Sequence, residues 1–442
     1  MTYFSEQITA ALGADMPPGP APHHIGAGSL PSYFDVTGLA LASVSAAAQE
    51  LAAHEGATQV SVHRRHALQW FDMTLRPQGW TLPSAWDAVA GDYETADGWI
   101  RLHTNAPHHR KAALHVLDGA TDRDTVSQRV AQWTAQELES AIVTNGGCAA
   151  QMRSLQDWRS HPQGAAVASE PLIAWTESGW AEPRPKALRD VKILDLTRVL
   201  AGPVATRFLA GFGARVLRID PPDWTEPAVE AEVTIGKRCA GLDLRQEADR
   251  ATFTTLLKDV DVLLHGYRPG ALERLGCDTD MRTALNPNLI DVSLNAYGWT
   301  GPWAGRRGFD SLMQMSTGIA AEGMAQAGSA RPTPLPVQAL DHATGYLMAA
   351  ALLRALRQRA TSGRVFRARL SLARTAHLLI HAGTQPLSPA MAPETASDLS
   401  AEVEQTSWGP AQRIAFPVRL DNDPPHWRYP AGQLRRHHAT WD

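Results

Sequence analysis

The chain has 442 residues, enough for two or three domains that each bury a core of their own. Forty-one Lys and Arg against 45 Asp and Glu leave a formal net charge of −4, so no bulk field draws the molecule to nucleic acid or to an anionic membrane, and any anionic ligand must be held locally. The three cysteines, Cys148, Cys239 and Cys277, are odd in number, far apart and without zinc-ligand spacing, which predicts a reduced, cytoplasmic protein with no metal site.

In chain order, residues 1–12 lack a basic stretch followed by an apolar one, and no run reads as the roughly 20 apolar residues that cross a bilayer. Neither secretion nor membrane insertion is expected. Residues 14–32, rich in Pro, Gly, Ala and His, predict an arm outside the core. Small and apolar residues then recur at helical spacing from Gly38 to Ala53, Gly56 stops them, and Gln59 to Val62 reads as a strand. Tyr93 to Leu102 predicts a hairpin and Asp122 to Val143 two short amphipathic helices, together a separate small α+β unit. The proline-bearing segment 161–188 reads as a linker crossing a surface.

From Val191 the pattern becomes repeated strand–helix units: Val191 to Leu196, a helix over Pro203 to Phe212, Ala214 to Asp220, Asp261 to Leu264, and Leu289 to Leu294. Alternation of this kind predicts an α/β fold with a parallel sheet and ligand sites on the loops at the carboxyl ends of its strands. The expected organisation is an arm with a degenerate helix segment (1–75), the small α+β domain and linker (76–185), the parallel-sheet domain (186–380) and a tail (381–442). Asp35 through a helix to Val62 echoes Asp341 through a helix to Leu372, which reads as an internal duplication. The first copy is one residue short between Asp and Gly, so Asp35 is not expected to point where Asp341 points.

The strand-end loops carry the chemistry. The first, Thr197 to Pro203, lacks the Gly-x-Gly-x-x-Gly of a dinucleotide site, and only the acid at Asp220 fits that pattern. Gly202-Pro203 leaves the loop backbone free to lie close to a ligand. Lys237-Arg238 and Tyr267-Arg268 place cationic and aromatic groups that suit a phosphorylated adenine nucleotide. Asp341, ahead of the apolar run Tyr346 to Leu353, sits at the mouth of a helix, where a carboxylate can cap, bind or attack.

The string Ile193 to Pro203, then Leu209 to Pro222, Gly236-Lys237-Arg238, Tyr267 to Gly270, Tyr297 to Pro302, Gly308-Phe309-Asp310 and Asp341 to Gly345 closely resembles the family III coenzyme A-transferases, which include the related α-methylacyl-CoA racemases. The resemblance spans roughly residues 190–376 and implies a Rossmann-like coenzyme A-binding domain beside the smaller α+β domain. Tyr93 to Leu102 and Gly146 to Ala149 resemble the family's second domain, here ahead of the first, as if the chain were two truncated tandem copies or a circular permutation. The resemblance implies that Asp341 is the nucleophile that receives CoA from an acyl-CoA and passes it to a small carboxylic acid. It also implies that Val199, Leu200 and Ala201 lie along the nucleotide, Tyr267 and Arg268 near adenine and phosphates, and Arg307 near the pantetheine or phosphate end, with Lys237 among the CoA-binding residues, in a homodimer. Phe309 stands where the racemases have His, and Phe shuttles no proton. Segment 82–91 lacks the glycines of the family's shielding loop. The alternatives are an acyl-CoA racemase and a disabled CoA-binding protein.

Overall fold

Seven strands form the central sheet of the computed structural model, which describes residues 2–13, 15–183 and 185–441. In chain order they are β1 (Ala174–Trp180), β2 (Lys192–Leu196), β3 (Arg215–Asp220), β4 (Lys237–Gly241), β5 (Val262–His265), β6 (Ile290–Asn295) and β7 (Arg364–Ser371). Their order across the sheet is β4-β3-β2-β5-β6-β7-β1. All neighbours are parallel except the antiparallel pair β7/β1 at the edge. Val262 and Leu264 of β5 and Ile193 of β2 are fully buried, as strands with both faces covered require. Strand order reverses between β2 and β5, so the loops after these two strands part company there and open a crevice for a ligand.

Two elements differ from the sequence reading. Segment 161–188 is not a surface linker: it contains a helix (Pro162–Ser169) and then β1, whose backbone completes the central sheet. Residues 237–241 form the other edge strand, where Lys237-Arg238 had read as part of a strand-end loop. Both strands are short of the apolar alternation that marks a strand, and tertiary pairing decides their state.

Four helices position the site: α1 (Val36–Glu55), α2 (Ala201–Gly211), α3 (Asp310–Ser316) and α4 (Ala339–Ser362). By length and composition α1, with a mean hydropathy of 1.3, could cross a membrane, which the sequence reading missed. It instead packs along α4, and Glu50 on α1 pairs with Arg354 and Arg357 on α4 at 2.6 and 2.7 Å. α4 also lies against α2. Gly345 permits that approach, since a Cβ there would sit 2.4 Å from the Ala201 carbonyl oxygen.

The small unit has its own core. The predicted hairpin is present as strands 91–94 and 99–102 with a third strand at 149–151, and Val89, Ile100, Leu102, Leu138 and Ile142 pack beneath it. By contrast, residues of the first 75 share one continuous core with α2, α4 and the sheet. Strand 60–63 runs parallel to 23–25 and antiparallel to 418–420, the same pattern that β7 makes with β6 and β1.

Candidate active site

Helix α4 starts at Ala339, and its N-cap residue Gln338 makes no side-chain capping bond. Asp341 is therefore the third residue of the helix rather than a residue ahead of it. The cap comes from α3: Asp310 Oδ2 accepts the backbone N–H groups of Leu340 and Asp341 at 2.8 and 2.9 Å, and its Oδ1 accepts from Gln314 Nε2 at 2.5 Å. These bonds satisfy donors that a helix start leaves unpaired. The Asp341 carboxylate is left free to face a cavity of about 270 Å³ lined also by Val199, Leu200, Trp86, His103 and Phe309. Burial first, and then the Asp310 carboxylate, hold the Asp341 pKa well above the usual carboxylate range. Burial likewise lifts Asp310 to about 6.

The cavity joins three parts of the chain. Trp86, His103 and Asn105 come from the small unit, Val199 and Leu200 from the loop after β2, and Phe309, Asp341 and His342 from α4 and the turn before α3. Val199 has φ 64°, a left-handed backbone that costs a β-branched residue about 1–3 kcal/mol. It is held there by Glu226, whose Oε2 accepts the Val199 N–H at 2.8 Å while Oε1 accepts from Arg218 at 2.5 Å. Ala201 opens α2, and its carbonyl lies under Gly345, so the β2 loop and Asp341 are tied to one helix contact. Gly202 serves packing: a Cβ there would meet the Thr197 side chain at 2.3 Å, which corrects the reading that this glycine is small for a ligand's sake.

The predicted cations divide. Lys237 is fully buried, with its ammonium on Asp195 at 3.2 Å and on the Pro203 carbonyl at 3.1 Å. It cannot reach a ligand from there. Its place among the CoA-binding residues is corrected to a structural one, joining β4 to β2 and α2. Arg268 and Tyr267 line a separate cavity of about 100 Å³, and Arg268 donates to the Gly305 carbonyl at 3.0 Å. Arg198, which the sequence reading did not single out, bridges the two loops at the switch point by donating to the Tyr267 hydroxyl at 3.1 Å. Burial, then Arg307 and Arg274, lower the Arg268 pKa, so an anion beside Arg268 would favour its charged form. Arg198 thus meets Tyr267, and Arg307 stands near Arg268, but none of these three cations lines the cavity at Asp341.

Trp86 and His103 had not been singled out either. The glycine-poor segment 82–91 does border the cavity, through Ala85 and Trp86. The Trp86 ring is held by Arg101, whose guanidinium lies 4.7 Å from its centroid. Their signal in the sequence was weak, because both come from a unit some 240 residues away from Asp341 in the chain.

Fold and site together define an α/β protein that presents an unpaired carboxylate to a cavity bordered by the loop after β2, at the switch point of a parallel sheet. Residues 188–407 match the model of CoA-transferase family III, and this segment belongs to that family. The chain is 35% identical over 210 residues to an acetyl-coenzyme A transferase of Hypoxylon pulicicidum, covering 46% of this chain and 35% of that protein. It is 36% identical over 149 residues to an acetyl-CoA:oxalate CoA-transferase of Acetobacter aceti, covering 31% and 38%. A crystal structure of Rv3272 from Mycobacterium tuberculosis is 30% identical, covers 45% of this chain and 57% of its own, and has a TM-score of 0.39. The chain spans about a third to a half of the length of the curated relatives it matches.

Proposed function

We propose that the protein moves coenzyme A from an acyl-CoA donor to a carboxylic acid, with Asp341 as the nucleophile. The observation that carries this reading is the Asp341 carboxylate itself: nearly buried, unpaired, and facing a cavity that two folding units close together. In the reaction the carboxylate attacks the thioester carbonyl and expels the CoA thiolate, forming a mixed anhydride. The thiolate then attacks the aspartyl carbonyl, releasing the donor acid and leaving CoA on Asp341 as a thioester. The acceptor carboxylate displaces that thiolate, and the thiolate attacks the acceptor's own carbonyl, so acyl-CoA leaves and Asp341 is restored.

An anhydride survives only where water is kept out. Phe71, Met73, Val199, Leu200, Phe309 and Val337 give the cavity apolar walls, and Trp86 stands where a glycine-rich loop is missing. Arg198 on the loop after β2, Arg268 on the loop after β5 and Arg307 in the turn before α3 are the cations assigned to the CoA phosphates, outside the cavity that holds Asp341. Relatives named for oxalate and for D-citramalate acceptors support small polar acids as the acceptor class.

The repeated topology of strands 60–63 and 364–371 supports descent from two tandem copies. The turn before each helix agrees in detail: Val36 N–H bonds Phe34 O at 2.7 Å and Ala339 N–H bonds Val337 O at 2.8 Å, with both cap residues at φ −75°, ψ 63°. That register aligns Gly38, not Asp35, with Asp341. A cytoplasmic homodimer belongs to the same proposal and is checked by fractionation and by mass in solution.

The test is a panel of acyl-CoA donors against free acids, run in heavy water with a chiral 2-methylacyl-CoA as one arm. Transfer without α-proton exchange is expected. Rapid exchange with inversion and no transfer would make the protein a racemase.

A further inference from the structure

Resting on that transfer reading, we propose that His103 is a further substrate-contacting residue, whose imidazole N–H donates a hydrogen bond to the acyl carbonyl oxygen held beside Asp341. His103 follows directly on the strand Trp99–Leu102, and its own backbone N–H donates to the Cys148 carbonyl at 3.0 Å, so its Cα is fixed by the small unit's sheet. The ring is fixed as well. It stacks on Phe309 with centroids 3.7 Å apart and planes 1° apart, and Trp86 meets it edge-on at 5.9 Å.

A ring set so firmly against two others would serve packing alone if its nitrogens were satisfied, but they are not. His103 is 6% exposed, and its Nδ1 is sealed from solvent without a hydrogen-bond partner among the described residues. A buried imidazole always carries at least one N–H, and orphaned polar groups of this kind are rare in folded interiors. Nδ1, with no accessible surface, does not open onto the cavity that the ring lines with Asp341; Nε2, which has no hydrogen-bond partner among the described residues, is the nitrogen left to donate there. The Asn105 side chain there is used at both ends, accepting from Asp87 N–H and donating to the Ala85 carbonyl, each at 3.0 Å. Gln338 and Trp86 are exposed enough to bond water. His342, stacked on Phe71 at 5.2 Å, shares with His103 an Nδ1 sealed without a partner among the described residues, and its own variant serves as the control.

The role follows from the chemistry of the step. When the Asp341 carboxylate adds to the thioester, the carbonyl oxygen gains negative charge, and a donor already in place stabilises that charge without reorganising. Burial pushes the His103 pKa down to about 3, so the ring donates while neutral and takes up no proton. No bond to hydrogen is broken by His103 at any point.

The experiment compares the full-length protein with His103→Phe, which keeps the stacking surface and removes the N–H, and with His103→Asn, which restores one. Measured are single-turnover formation of the Asp341 adduct from acetyl-CoA, CoA affinity by calorimetry, and the melting temperature. Removing one preorganised donor of this type slows the step about 100-fold or more. His103→Phe is expected to show that loss with CoA affinity unchanged, and His103→Asn to recover at least about tenfold of it. A His103→Phe rate within about threefold of the unsubstituted protein, or a loss of rate matched by a loss of CoA affinity, overturns the assignment while transfer itself stands. If the unsubstituted protein forms no adduct, the transfer reading fails and this one falls with it. Should His103→Phe fold poorly, the same comparison is made with His103→Asn against His103→Leu.

Discussion

Asp310 Oδ2 accepts the backbone N–H of Asp341 at 2.9 Å, so the carboxylate that caps α4 is a different one from the carboxylate that faces the cavity. Capping and attack compete for one side chain when an Asp starts a helix. Here two acids divide the work, and the Asp310 carboxylate adds to what burial costs Asp341 on ionising.

Asp310→Asn keeps the shape and removes the charge. Because the Asp310 carboxylate is one of the groups raising the Asp341 pKa, the acidic limb of the activity profile should move to lower pH in this variant. Stability should change in the opposite sense to an ordinary surface acid. Asp310 titrates at about 6 in the folded protein and near 4 when unfolded, so the folded state binds more protons between those values. The contribution is full below about pH 4 and is lost as pH rises through about 6. Denaturant titrations should show the parent protein losing stability across that window relative to Asp310→Asn.

Asp35 caps its own helix. Its Oδ1 accepts the Gly38 N–H at 2.7 Å, and a Cβ at Gly38 would fall 2.1 Å from its Oδ2. Asp35 thus does for α1 what Asp310 does for α4. Asp35→Ala should cost about 1 kcal/mol of stability and leave transfer unchanged. A loss of transfer equal to that of Asp341→Ala would place a working site in the first copy.

Lys237→Met should leave CoA affinity within about twofold, yet destabilise the protein by about 3–5 kcal/mol, because it strands the buried Asp195 carboxylate without its cation. Calorimetric binding and thermal melting separate the two effects. A selective loss of CoA binding in a well-folded variant would return Lys237 to the site.

Glu232 ties the chain's distant parts together. It is fully buried and accepts from Thr74 N–H at 2.9 Å, from Thr74 Oγ1 at 2.6 Å, and from both Arg207 and Arg413. Burial alone would raise its pKa, but Arg207 and Arg413 outweigh burial and hold it at about 2. Its contribution is therefore present above the unfolded value near 4.3 and is lost as pH falls toward 2. Glu232→Gln should cost about 3–5 kcal/mol at neutral pH, with the gap to the parent closing in acid unfolding curves. A gap that does not depend on pH would show that shape rather than charge matters there.

Much of the fold was legible because the strands after Val191 are apolar runs bounded by turn residues, a local signal that survives without tertiary context. The edge strands β1 and β4 were not, since Ala174 to Trp180 and Lys237 to Gly241 are held by pairing to β7 and β3 rather than by their own pattern. Asp341 stood out by its place ahead of an apolar helix. Asp310, which caps that helix, lies 31 residues earlier and His103 comes from another folding unit; no spacing rule connects residues that only the assembled fold brings together. Lys237 was misread for the same reason: a basic residue next to a glycine looks like a ligand contact until Asp195 is seen beneath it.

The most direct test is the mass of the peptide carrying Asp341 after brief incubation of the full chain with an acyl-CoA and rapid quenching. A covalent adduct is expected on Asp341, as CoA thioester or acyl anhydride, released by hydroxylamine and absent from Asp341→Ala, which should still bind CoA. Undiminished transfer by Asp341→Ala, or transfer by the parent protein with Asp341 unmodified throughout, would contradict the account.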